Sequence, residues 1–170
     1  TPTRRQRQMC IRDRIDINIG EFTNPNEGDW LHTNAIAYNS DLDQIVFSSK
    51  HLNEIFIIDH STTTLQASGH DGGNSNNGGD ILYRWGNPAN YGRGNNSNQK
   101  LNAQHGVHWI PLGYPGAGKL LIFNNNPSDT LSNSNQFGNS SVVEILPPVN
   151  ADCNYFLTVD SIYGPEEYDL

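Results

Sequence analysis

The chain has 170 residues, enough for one domain with a sizeable core, and its many Gly, Asn and Ser residues give much of the length to loops. Eighteen acids against ten basic residues leave a net charge of −8, and no apolar run approaches the roughly 20 residues of a membrane-spanning helix. This balance argues against nucleic acid or a membrane as a partner, the more so once the opening segment is set apart.

That segment, "TPTRRQRQMCIRDR", carries Arg4, Arg5, Arg7, Arg12 and Arg14, five of the ten basic residues. A basic nucleic-acid arm is one reading of it. It looks more like translated sequencing-adaptor sequence, so residues 1–14 are set aside as non-native and fold reasoning covers residues 15–170. The remainder holds five basic residues against seventeen acids, a net charge of −12. Cys153 is then the remaining cysteine, so no internal disulfide is expected and the redox compartment is not legible. No secretory signal is visible, and the natural N-terminus is expected to lie upstream.

Strand signals follow in order. "NAIAY", "QIVFSSK", "EIFIID", "ILYRW", "GVHWIP", "KLLIFNN", "SVVEIL" and "YFLTV" are short runs of β-branched and aromatic residues, separated by turn clusters such as "NSDLD", "HLN" and "GYPGAG". No window sustains apolar residues at i, i+3, i+4 and i+7, so no long helix is predicted. "EIFIID" and "KLLIF" are apolar on both faces, which implies cover on both sides. With no helices to supply it, the covering layers are expected to be other sheets, as between blades of a β-propeller.

An imperfect repeat agrees. One unit runs from His32 through "QIVFSSK" to "EIFIID", and a second from His105 through "KLLIFNN" to "SVVEIL". At roughly 40–50 residues per blade, the chain makes about three blades. The expected fold is all-β, a partial β-propeller and a fragment of a larger ring.

The loop "GHDGGNSNNGGD" offers Asp71, Asn74, Asn76 and Asp80 as oxygen ligands but fits no twelve-residue calcium pattern, so it reads as solvated loop. "GYPGAGK" lacks the Ser/Thr and helix of a phosphate loop. Trp30, Trp85 and Trp109 read as packing residues rather than substrate platforms. His105 and His108 form His-x-x-His, but i and i+3 on a strand face opposite ways, which disfavours a shared metal. No metal and no cofactor are expected.

In a propeller the innermost strands line an axial channel, so His32, Asn34 and His105 would converge there. The alternative is that each histidine satisfies a backbone group where its blade begins. "DWLHTNAIAYNSDLDQIVFSSKHLNEIFIIDH", "GGDILYRWGNP" and "QHGVHWIPLGYPGAGKLLIFNN" together resemble the aryl-sulfate sulfotransferase family, from about Asp29 to the end. The resemblance implies a six-bladed propeller, of periplasmic or secreted location, that moves a sulfuryl group between phenols through a sulfohistidine. It implies His105 as nucleophile and His32 and Asn34 as the family's His-x-Asn pair. Lys50 falls where the family's "SSRH" block has arginine, and a further family histidine would lie upstream.

An aryl sulfate leaves as a phenolate of conjugate-acid pKa about 10, so modest help suffices. Catalysis would then be chiefly positioning and charge stabilisation by His32, Asn34 and Lys50. His51 and His108 are secondary substrate-binding candidates, and His108 is the runner-up nucleophile. His60 and His70 read as structural. The implied partners are a small aryl sulfate donor and a phenolic acceptor, with a homodimer left open. Two other readings stay open: a non-catalytic propeller that binds a partner, and a sulfatase-like hydrolase.

Overall fold

The computed structural model describes residues 15, 28–125, 139–149 and 155, and the backbone of 167–169. The opening segment, the Ser/Asn run at 126–138, Cys153 and, apart from Tyr155, the strand expected at 155–159 lie outside the described residues.

The seven runs from "NAIAY" to "SVVEIL" all form strands. β1 (Thr33–Asn39), β2 (Gln44–Ser49), β3 (Glu54–Asp59) and β4 (Ile81–Trp85) make one antiparallel sheet. β5 (His105–Trp109), β6 (Leu120–Asn124), β7 (Ser141–Ile145) and β8 (Glu167–Asp169) make another. In each sheet every strand pairs with its neighbour in sequence, so the chain is all-β with local connections. The turns use the chemistry their residues suggest. Asn39 Oδ1 accepts from the amides of Asp41 and Leu42, both at 3.0 Å, and Asp43 and Asn53 take left-handed backbone in the two hairpin turns. The single described α-helix, α1 (Thr64–Ala67), is one turn closed by a Thr63 capping box. Among the described residues no helix is long and apolar enough to cross a membrane.

The sheets share one core. Val46, Ile55, Ile57, Tyr83 and Trp85 from the first meet Val107, Trp109, Leu120, Ile122, Val143 and Ile145 from the second, with Leu101 between them. Trp85 and Trp109 are therefore packing residues, as expected. β1 and β2 both lie against β5, which brings the first strand of one sheet to the first strand of the other.

β3 is buried on both faces, but its two covers differ. The core covers Ile55 and Ile57. On the other face Phe56 stacks on Phe47 at 5.1 Å, and the Arg84 guanidinium lies 5.1 Å from the Phe56 ring and 4.7 Å from that of Tyr91. The Tyr91 side chain comes from a 3-10 turn, Pro88–Tyr91, so a loop and a cation rather than a further sheet seal that face. β6 departs from the expectation: Leu120 and Ile122 are buried, but Leu121 is half-buried and Phe123 is 43% exposed. Among the described residues, no layer corresponding to Arg84 and Tyr91 covers it. Against the roughly three blades expected, the described residues form two four-stranded sheets.

The Gly/Asn-rich loop folds on its own hydrogen bonds. Asp59 anchors it, accepting from the Ser61 and Ser75 amides at 2.8 and 2.9 Å, while the Ser61 hydroxyl takes the Asn74 amide at 2.7 Å. Burial pushes the Asp59 carboxyl up, but the hydroxyl of Ser61, which also donates to it, and the Ser75 and Ser61 amides outweigh that and hold the group below its usual range. Asp80 bonds His70 at 2.8 Å, and the Asn76 side chain accepts from Gly72 at 3.3 Å. These pairings suit the solvated-loop reading. Glycine is required at 79, where a Cβ would fall 1.9 Å from the Ala67 carbonyl oxygen.

Candidate active site

Strand register gathers the chemistry-bearing residues at one end of the paired sheets. Thr33 pairs with Ser49, and Ser49 with Glu54, so the start of β1, the end of β2 and the start of β3 lie side by side. The segment leading into β5 reaches the same end. Gln104 Nε2 lies 3.0 Å from Ser48 Oγ, 2.9 Å from the Ser49 carbonyl and 3.0 Å from the Glu54 carbonyl.

On the β1 side, His32 takes left-handed backbone, and its carbonyl accepts from the Lys50 amide at 3.2 Å. Its Nδ1 bonds the Asp29 carboxylate. That hydrogen bond holds the exposed Asp29 carboxyl below its ordinary value. The His51 ring lies 5.0 Å from that of His32, and its Nδ1 is 2.8 Å from the Asp29 backbone carbonyl. Asp29, His32 and His51 offer ligand atoms within 4.8 Å of one another, a spacing a cation could use. Both Nδ1 atoms already have an oxygen partner, so the cluster is satisfied as a hydrogen-bonded group through those two nitrogens.

On the β5 side, backbone strain places a carbonyl under the His105 ring. Ala103 has φ +51, unusual for a residue with a side chain, and Asn53 Oδ1 holds its amide at 2.9 Å. The Ala103 carbonyl lies 2.9 Å from His105 Nδ1, and Asn125 Nδ2 is 2.6 Å from that oxygen and 2.7 Å from the same ring nitrogen. The two sides are stitched together by Asn34, whose Nδ2 donates to the Gln104 carbonyl at 2.8 Å. Both strands are irregular at this end, β1 between Thr33 and Ala35 and β5 between His105 and His108, as sheets often are beside working sites.

Of the residues singled out from sequence, His32, Lys50 and His51 thus cluster at the β1–β2 hairpin's open end, and Asn34 reaches across to the carbonyl of Gln104, the residue before His105. One of Asn34's two N–H groups is committed there. His108 stands apart, exposed on the face opposite Val107 and Trp109, with Nδ1 at 2.8 Å from the Gly106 carbonyl. Three residues were not anticipated: Asp29, Gln104 and Asn125. Asp29 sits three positions before His32, a spacing that could have suggested an orienting carboxylate. Gln104 and Asn125 carry no such signal, because their partners come from strands or turns far away in sequence.

Gln104 is fully buried and fastens the second sheet to the first. Replacing it with leucine strands the Ser49 and Glu54 carbonyls, so Gln104→Leu is expected to cost about 1–3 kcal/mol, read as a lower midpoint in urea unfolding. An unchanged midpoint would contradict this role.

No curated protein matches the chain closely enough to stand as a relative. A family model does match. It is described as arylsulfotransferase (ASST), and it covers residues 6–145, most of the chain and both sides of the site. The chain belongs to the arylsulfotransferase family, a family of transferase enzymes.

Proposed function

We propose that this chain transfers a sulfuryl group from a phenolic sulfate ester to a phenolic acceptor through a sulfohistidine at His105, outside the cytoplasm. Its two sheets would be adjacent blades of a six-bladed propeller. The observation that carries the reading is the His105 ring, held through Nδ1 at the same end of the sheets as His32, Lys50 and His51. An imidazole so held keeps Nε2 for attack.

The Nε2 lone pair bonds to sulfur as the S–O(aryl) bond breaks, and the electron pair leaves on the phenolate, which takes a proton from solvent. Charge spreads over the three sulfuryl oxygens. Lys50, the second N–H of Asn34 and, when doubly protonated, His32 donate to them, and this preorganised positive field supplies most of the catalysis. The acceptor phenol's oxygen then attacks sulfur, the S–N pair returns to Nε2, and the hydroxyl proton passes to solvent. Asp29 orients His32 by holding its Nδ1.

Incubating the active enzyme with an aryl sulfate, with and without a phenol, tests the reading. Phenol-dependent release of the leaving phenol is expected. Release indifferent to phenol would make the protein a hydrolase, and no release would make it a binding module.

Lysine at 50 keeps the charge of the family's arginine but not its planar fork, so it grips one sulfuryl oxygen rather than two. Lys50→Arg is expected to lower KM for the donor about 3- to 10-fold, measured by initial rates against aryl sulfate. An unchanged KM would remove Lys50 from the sulfuryl site.

A further inference from the structure

The surroundings of His105 Nδ1 decide more than the ring's position. This nitrogen faces an acceptor, the Ala103 carbonyl at 2.9 Å, and a donor, Asn125 Nδ2 at 2.7 Å. A neutral imidazole has a single N–H, so Nδ1 can answer one of them. The Asn125 amide cannot be turned to relieve the choice, because its Oδ1 would then lie against the Ala103 oxygen, which Asn125 Nδ2 approaches to 2.6 Å.

The two arrangements are not equal. With the proton on Nε2, the Nδ1 lone pair would oppose the Ala103 oxygen at 2.9 Å. That oxygen has no freedom to withdraw, since Ala103 is held in left-handed backbone by Asn53 behind it and Asn125 in front. With the proton on Nδ1, both His105 and Asn125 donate to the same carbonyl, which has two lone pairs to receive them. One Asn125 N–H then serves the Ala103 carbonyl without calling on Nδ1.

Resting on the role of His105 as nucleophile, we propose that Asn125 is a positioning residue for His105. It locks the Ala103 carbonyl against Nδ1, which keeps the ring proton there and leaves Nε2 as the reactive nitrogen. The same carbonyl faces Nδ1–H as positive charge builds on the ring during attack. This charge is stabilised by a dipole already in place. Asn125 does not touch the substrate.

The test reads the ring directly. Nitrogen NMR of the full chain at alkaline pH, with the His105 signal assigned by its loss in His105→Gln, should show Nδ1 protonated. In Asn125→Ala the ring should show a mixture of the two tautomers, and kcat should fall about tenfold with a smaller change in KM. Asn125→Ser, which keeps a short donor, should recover part of both effects. An Nε2-protonated ring in the native protein, or a ring and kcat indifferent to Asn125→Ala, overturns the proposal. The native-protein measurement does not depend on any Asn125 variant folding. Because the tautomer is read without any sulfate ester, failure of the transferase reading would show separately, as phenol-independent or absent release.

Discussion

His105→Ala is expected to lower kcat for transfer between phenols by about 10³-fold or more and to abolish the sulfuryl adduct seen by intact-protein mass spectrometry after exposure to donor alone. The size follows from what is lost. Without the imidazole, one difficult displacement can no longer be split into two easier ones, and phenol acceptor and donor must meet in a single step. His32→Ala should differ in kind. It removes one donor to the developing charge, at a cost of about 10²–10³ in rate, while the adduct still forms slowly on His105. Persistence of the adduct in His105→Ala would move the nucleophile elsewhere, and His108 would be examined first. Its exposed position on the opposite face makes it a poor substitute in this geometry.

The largest effect on stability is expected at the ion pair under β3. Arg84 Nε and an Nη nitrogen each lie 2.7 Å from a Glu54 carboxylate oxygen, with side chains 2% and 0% exposed, and Asn90 Nδ2 adds a bond of 2.6 Å. Burial pushes the Glu54 carboxyl up, and the two guanidinium bonds oppose that push by favouring the charged form. Removing one partner leaves a bare buried charge. Arg84→Met and Glu54→Ala are each expected to destabilise by about 3–5 kcal/mol, whereas Arg84→Met with Glu54→Leu should recover much of the loss. Urea unfolding of the three variants measures this. Single variants as stable as the native protein, or a double variant no better than the worse single, would contradict it. Glu54 also offers its carbonyl to Gln104, so loss of the pair is felt one residue from His105.

Strand positions and turns were legible because they depend on local chemistry. Short β-branched runs broken by "NSDLD" and "HLN" can hardly fold otherwise, and the doubly apolar "EIFIID" correctly foretold a strand buried on both faces. What covers its far face was not legible. An arginine in "ILYRW" reads as an outward polar residue until β4 is known to pair with β3, which lays Arg84 beside Phe56. The same limit hid the site's supporting residues. His32, Asn34 and His105 could be singled out through a family resemblance, but Asn125 sits in a run of asparagines whose likeness to any loop conceals its place beneath His105. Phe123 shows the converse, since an apolar residue in a strand promises cover that the described residues do not supply.

Gln104 joins two properties that most enzymes can vary apart. Its amide reaches three oxygens of the first sheet while its own peptide bond leads straight into the ring-bearing residue. A slip of one sheet over the other would therefore swing the imidazole away from the Lys50 end of the hairpin beside it. Aim and architecture share one fastening, so any change at the site that leaves the fold intact has to come from the rim rather than from the seam.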